Sequence, residues 1–322
     1  MARAPFELGG ISVRAGSRKE IGLPITRLVT GDEVSFPLRV IHGRADGPTI
    51  WLSAAIHGDE VCGVEIIRRV MEQLDPRALR GTVIAVPIVN VYGFINGDRY
   101  LPDRRDLNRS FPGSPRGSLA ARIAHLMMTE VVAKCTVGID LHTGSDHRTN
   151  LPQIRADLDD DETRRLAETF GAPVVYHAKI RDGSLRHAAA EAGATVLLYE
   201  AGEAWRFDQW AIDAGVRGVR RVLTELDMVD PPEGDVATVA AEVRKSGWVR
   251  AGRTGIVRIE ADLGAVIEQG DRLGVISDSF GKRLNIVKAN RAGIVIGRTE
   301  APLVNRGDAL VHIGEIHDGD SG

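Results

Sequence analysis

The chain is short of cysteine. Cys62 and Cys135 are the only two in 322 residues, so no disulfide framework is available and a reducing, cytoplasmic compartment is the expectation. It also lacks an excess of charge of either sign: 41 Lys and Arg stand against 44 Asp and Glu, a formal net charge of −3. Such a balance leaves no electrostatic footprint for nucleic acid or an anionic membrane. No run approaches the roughly 18 continuous apolar residues of a membrane span. The opening MARAPFELGG lacks the apolar stretch of a signal peptide. Hydrophobic residues reach 43%, ordinary for a globular protein and enough, at this length, for a large core.

What is present has a rhythm. Residues 1–30 are mixed and turn-rich, a lead-in with a strand or two. Then TIWLSAA (49–55), TVIAVPIVN (82–90), VGIDL (137–141) and ATVLLY (194–199) read as short buried strands. Between them, Val64, Ile67, Met71 and Leu74 recur at helical spacing, as do Leu119, Ile123, Leu126 and Met127. Residues 160–171 form a helix closed by Gly171, and 208–226 form another. This alternation predicts an α/β domain, a mostly parallel mixed sheet flanked by helices.

The run VDPPEG (229–234) breaks the rhythm and marks a boundary. Two domains are expected, 1–234 and 235–322. Beyond Ser246 the pattern is short Val/Ile runs split by glycines, an all-β module. It repeats internally: Gly255-Ile256-Val257 returns as Gly293-Ile294-Val295, and Ile267 to Leu273 returns as Val304 to Leu310. Two similar halves closing on each other are implied. The pattern resembles the barrel-sandwich hybrid fold of lipoyl and biotinyl domains. Lys282 lies near where such domains carry their modified lysine, but its neighbours Gly281 and Arg283 do not fit the carrier pattern, and no covalent group is expected there.

His57-Gly58-Asp59-Glu60 follows the first of those strands and opens a helix. An imidazole and a carboxylate three apart on a helical turn point the same way, and both are good zinc ligands. Taken alone the pattern is weak, and His312-x-x-Glu315 repeats it in the β module. Context adds weight. His142 and Glu200 also lie at the carboxyl ends of predicted parallel strands, where open α/β sheets form their ligand crevice. Two histidines and a glutamate leave a fourth zinc position for water, as in catalytic sites. Glu200 is placed to act as general base and acid. Asp140, two residues before His142, points the same way and can orient a ligand imidazole. A long loop from Arg99 to Gly113 carries several arginines, whose planar forks suit a carboxylate or a developing oxyanion.

The set His57-x-x-Glu60, Asp106-Leu-Asn108-Arg109, Asp140-Leu-His142 and Glu200-x-Gly202 resembles the succinylglutamate desuccinylase/aspartoacylase family of the zinc carboxypeptidase-like clan. The motifs occur in the family's order, and the strong part covers about residues 45 to 226. The resemblance implies one zinc ion per chain held by His57, Glu60 and His142, with Glu200 as general base and acid. It implies that Asn108 and Arg109 grip a carboxylate on a small-molecule substrate and that Arg99 steadies the oxyanion. Because the loop after Arg99 is a little longer than in aspartoacylase, Arg104 or Arg105 stays open for that last role. The expected activity is removal of an acyl group from a small N-acyl amino acid. Two alternatives stand beside it: a metallocarboxypeptidase acting on a short peptide, and a non-catalytic carboxylate-binding protein on the same scaffold. Self-association into a homo-oligomer is compatible with the sequence.

Overall fold

The computed structural model describes residues 3–178, 182–232, 234 and 239–317. A small hairpin, β1 (Phe6–Leu8) and β2 (Ile11–Val13), precedes β3 (Ser17–Arg27), β4 (Glu33–His42) and β5 (Ala45–Ala54). Helix α1 (Cys62–Gln73), β6 (Arg80–Val86) and helix α2 (Val91–Asn96) follow, then α3 (Leu119–Leu126), β7 (Val137–Gly144) and β8 (Arg148–Ala156). Helix α4 (Asp161–Phe170), β9 (Val174–His177), α5 (Leu185–Glu191), β10 (Thr195–Glu203) and α6 (Gln209–Glu225) complete the first part. The C-terminal part is β11 (Ala241–Arg250), β12 (Gly255–Ile259), β13 (Val266–Ile267), β14 (Arg272–Ser277), β15 (Arg283–Lys288), β16 (Gly293–Thr299), β17 (Leu303–Val304) and β18 (Ala309–Ile316).

The helix starts are written in the sequence. Asn90, Ser118, Asp160 and Ser184 each accept a backbone N–H of the first turn, at Gly93, Ala121, Thr163 and His187. Gly171 ends α4 at φ 72°, the left-handed geometry that glycine adopts without strain. The lead-in of residues 1–30 holds three strands rather than one or two, the third, β3, forming a long hairpin with β4.

Twelve strands form one mixed sheet in the order β13-β16-β18-β11-β9-β8-β10-β7-β5-β6-β4-β3. It is parallel at its centre, where β6, β5, β7 and β10 lie side by side. It is parallel again at β8, β9 and β11, and antiparallel at the remaining pairings. Strand β4 follows β3 after a short turn and β8 follows β7 after another, and a chain that reverses so quickly must run antiparallel. Side-chain alternation along the central strands then builds two cores. Ile50, Leu52, Ile139 and Leu197 pack under α1, α4 and α6, whereas Trp51, Ile84 and Val196 pack with α3 and α5 on the other face. Gly138 is required there: a Cβ would sit 1.9 Å from Cζ2 of Trp51.

The internal repeat of the C-terminal part is visible as exchange between the copies. The short strand β13 of the first copy pairs with β16 of the second, and β17 of the second pairs with β12 of the first. A separate four-stranded sheet, β15-β14-β12-β17, faces the end of the large sheet across a core of Leu273, Ile276, Val295, Leu310 and Ile313. The module is joined to the first part by strand pairing. Strand β11 adds to β9 in parallel and β16 pairs with β8, so both parts share one sheet. The expected boundary at 234/235 falls against residues 233 and 235–238, which lie outside the described residues. Lys282 caps the β14–β15 turn, its N–H donated to Asp278.

Candidate active site

The centre of the sheet holds polar side chains where apolar ones would pack better. His57, Glu60, Asp140 and His142 are all buried. His57 and Glu60 lie in the turn between β5 and α1, with backbone donation from Glu60 N to His57 O closing it at 3.1 Å. Gly58 has to be glycine, since a Cβ there would lie 2.0 Å from the carbonyl carbon of Gly93. His142 and Glu200 sit inside β7 and β10 rather than beyond their ends, directly opposite each other in register. Both strands run on past the predicted ends because each supplies the other's ladder hydrogen bonds.

Glu60 is the hub. Its Oε1 lies 2.7 Å from His57 Nδ1 and its Oε2 2.8 Å from His142 Nδ1, and Thr143 N–H donates to Oε2 at 3.1 Å. The far nitrogens face other carboxylates. His142 Nε2 is 2.8 Å from Asp140 Oδ2, and His57 Nε2 is 3.3 Å from Asp106 Oδ1. Ser53 Oγ–H in turn holds Asp140 Oδ1 at 2.8 Å. Burial opposes ionisation of Glu60, but the two imidazoles outweigh it and hold its carboxyl well below the usual range. Burial likewise pulls both imidazoles down, and the carboxylates outweigh it: Glu60 raises His57, and Asp140 with Glu60 raises His142 well above its ordinary value.

These contacts test whether a metal fits. Ligand atoms of His57, Glu60 and His142 lie within 4.8 Å of one another, all buried. Asp140 is hydrogen-bonded to His142 Nε2 and Asp106 faces His57 Nε2, while both Nδ1 atoms face the Glu60 carboxylate, where a metal would replace the protons between them. A metal-binding histidine characteristically gives its other N–H to a carboxylate in this way. Nitrogen and carboxylate donors in this number suit zinc, so the residues present fit the group. A second cluster, Asp157, Asp159 and His177, is exposed in part, and Arg244 already pairs with Asp159 at 2.8 Å.

Of the three arginines considered for the oxyanion, Arg99 is the one at the cluster. Its Nη1 lies 3.3 Å from Glu60 Oε1 and its Nη2 3.2 Å from Asp106 Oδ2. Arg104 and Arg105 are exposed, and Arg105 faces Asp103. Asp106 caps the turn Leu107–Arg109 by accepting Asn108 N–H at 2.8 Å. Asn108 is buried, and its Oδ1 accepts Leu185 N–H at 2.9 Å, so a donor for any ligand would have to be its Nδ2. Arg109 is exposed and donates to the Asn108 carbonyl; burial opposes ionisation of Asp106, but His57 first, then Arg99 and Arg109, hold its carboxyl below the usual range.

Glu200 is flanked by residues that sequence reasoning did not single out. Asn150 Nδ2 donates to Oε2 at 2.9 Å, and Arg155 Nη1 lies 3.5 Å from Oε1. Both come from β8, a strand the sequence reading passed over. Glu203, three residues on, is buried past a bulge and pairs with Arg206 at 3.0 Å, and burial raises its carboxyl.

An open α/β sheet with a buried His-Glu-His set at its parallel centre and a flanked carboxylate on the adjoining strand defines a hydrolase-type site that could hold a metal. The model of the succinylglutamate desuccinylase/aspartoacylase catalytic domain matches residues 46–226, more than half of the chain, and the chain belongs to that family. It is similar to the N-alpha-acetyl-L-2,4-diaminobutyric acid deacetylase of Halomonas elongata, 28% identical over 88% of this chain and 86% of the relative. Among solved structures it resembles a succinylglutamate desuccinylase/aspartoacylase from Rhodobacter sphaeroides, with a TM-score of 0.81, 28% identity and coverage of 93% and 96% of the two chains. It also resembles the product-bound ectoine utilization protein EutE (DoeB) of Ruegeria pomeroyi, with a TM-score of 0.82, 26% identity and coverage of 92% and 95%. No described helix is long and apolar enough to cross a membrane.

Proposed function

We infer that this protein is a zinc-dependent deacylase that hydrolyses the amide of a small N-acyl amino acid. The carrying observation is the pair of imidazoles whose Nδ1 atoms converge on one buried carboxylate, with Glu200 in register beside His142. Zinc held by His57, Glu60 and His142 would lower the pKa of a bound water toward roughly 7 and polarise the acyl carbonyl. Glu200 takes the proton of the attacking water and returns it to the leaving amine. Arg99, with its guanidinium at the edge of the cluster, offers N–H donors to the oxyanion. Asn108 Nδ2 and the Arg109 fork grip the substrate carboxylate. The similarity to an N-acetyl-diaminobutyrate deacetylase favours an N-acetyl amino acid over a peptide. Cys62 and Cys135 are both free thiols, in keeping with a cytoplasmic setting.

The test is amine release from N-acetyl, N-succinyl and N-formyl amino acids, N-α-acetyl-2,4-diaminobutyrate among them, by zinc-loaded protein beside Glu200→Gln. The amide cannot take a proton, so kcat is expected to fall by roughly 10²–10⁴ with KM little changed. Metal content should stay parental. Cleavage of short peptides in place of N-acyl amino acids would replace this reading with the carboxypeptidase one, and parental kcat in Glu200→Gln would remove the mechanism.

A further inference from the structure

A continuous row of polar and aromatic side chains crosses six neighbouring strands, from the metal-type cluster into the C-terminal module. It begins at His142 on β7 and Glu200 on β10. On β8, Arg155 Nη1 lies 3.5 Å from Glu200 Oε1, and its Cζ stands 5.8 Å from the centre of the Tyr176 ring on β9. Tyr176 OH is 2.8 Å from Ser246 Oγ on β11, and Ser246 Oγ is 2.8 Å from His312 Nε2 on β18. His312 stacks on Trp248 with ring centres 4.6 Å apart and planes 11° from parallel. Its neighbours hold it neutral: burial first, then Arg155 and Arg291, push its pKa down to about 3.

Two features argue that the row is more than packing. Arg155 Nε is buried with no hydrogen-bond partner among the described residues. An unpaired buried donor works against stability, so packing alone does not account for an arginine here. The second feature is connectivity. Ser246 bridges a residue of the first part and one of the second, and these two parts already share a sheet through β9–β11 and β8–β16. The guanidinium beside Glu200 is therefore seated on a ring whose hydroxyl is anchored in the C-terminal module.

We propose that Arg155 is a positioning residue for Glu200, and that the C-terminal module sets its place through Ser246, bonded to both Tyr176 and His312. The proposal rests on the reading of Glu200 as the general base. Arg155 fixes one carboxylate oxygen while Asn150 fixes the other, so the carboxylate keeps one orientation toward the scissile amide. The module thereby acts on the reaction without touching substrate.

The experiment is a pair of double-mutant cycles, read as kcat and KM on the best N-acetyl amino acid, with metal content and melting temperature measured alongside. Arg155→Met should lower kcat by roughly ten- to a hundredfold, with KM within about twofold and metal content unchanged. In the Glu200→Gln background the same substitution should cost less than about threefold, because nothing remains to position. Ser246→Ala should lower kcat about threefold to tenfold in the parent and have little further effect beside Arg155→Met. A residue that merely supports packing would act equally in both backgrounds and would lower the melting temperature. Should Arg155→Met fail to fold, Tyr176→Phe, which removes one hydroxyl, takes its place in both cycles. Additive losses in the first cycle, or parental kcat in Arg155→Met, would overturn the proposal. Additive losses in the second, or parental kcat in Ser246→Ala, would overturn the part assigned to the module. A Glu200→Gln variant with parental kcat would instead bring down the deacylase reading itself.

Discussion

The sequence contains the same four-residue pattern twice, and the molecule makes different things of it. His57-x-x-Glu60 lies in the turn that leads from β5 into α1, and there the two side chains meet at 2.7 Å. His312-x-x-Glu315 lies within β18. In a strand, residues three apart point to opposite faces, so no chelate can form. His312 turns inward onto Trp248 and Ser246, whereas Glu315 reaches Arg291 at 2.9 Å. Spacing alone therefore says nothing about a metal. Backbone geometry decides whether it becomes a donor pair, and second carboxylates such as Asp106 and Asp140 decide whether the donors are aimed.

The largest expected effect breaks this comparison at its strong end. His57→Ala, Glu60→Gln or His142→Ala should each drop metal stoichiometry well below that of the parent, while His312→Ala should keep it. Loss of a group behind a ligand already costs ten- to a hundredfold, so loss of a ligand should cost activity at least roughly a hundredfold. Elemental analysis of the purified variants decides. Parental metal in both His57→Ala and His142→Ala would move any metal site elsewhere.

Legibility followed the same division. The central strands and helices α1, α4 and α6 are readable from apolar periodicity, to which Gly171 adds a stop signal at α4. The cluster was readable because each ligand candidate stood beside an apolar run. Strand β8 was not readable. Pro152 in its middle argues against a central strand, and its alternation of Leu151 and Ile154 with polar residues looks like surface. Yet it carries Asn150 and Arg155, the residues that flank Glu200. The continuity of the sheet into the module was also hidden, since strand pairing across more than sixty residues leaves no local trace. The Asp106–His57 contact is likewise hidden, since the two residues lie far apart in the chain.

A second, smaller effect sharpens what the first region has and the second lacks, an arginine-bearing loop over its cluster. Arg109→Ala should raise KM, as loss of a charge-assisted pair costs about 1.5–3 kcal/mol, roughly 10- to 150-fold. Arg109→Lys keeps the charge but not the planar fork, and should not restore KM. An unchanged KM in both variants would take the substrate carboxylate away from this loop.

At the other histidine the effect should appear in stability. Burial holds the His312 pKa down to about 3, below the 6.5 of an unfolded chain. The folded state binds the proton less readily, so the stabilisation is complete above about pH 6.5 and is lost as pH falls toward 3. His312→Gln cannot be protonated there. Its melting temperature should fall by about a few °C less than the parent's between pH 6.5 and 4. Parallel pH profiles would mean that His312 is not held neutral.

The smallest effect belongs to the second glutamate. Glu60 and Glu315 each sit three residues after a histidine, and each faces an arginine, Arg99 at 3.3 Å and Arg291 at 2.9 Å. Their surroundings differ. Glu60 is buried between two imidazoles, and removing its charge there leaves their Nδ1 atoms without a carboxylate partner. The Glu315 side chain is 43% exposed, so water screens its pair and replaces its hydrogen bonds. Such pairs contribute about 0–1 kcal/mol. Glu315→Gln should therefore shift the melting temperature by less than about 2 °C, keep the parental metal content, and show a smaller shift still at high salt. A loss of several degrees, or any loss of metal, would mean that the shared spacing carries more than strand geometry allows, and that the contrast between the two patterns is drawn in the wrong place.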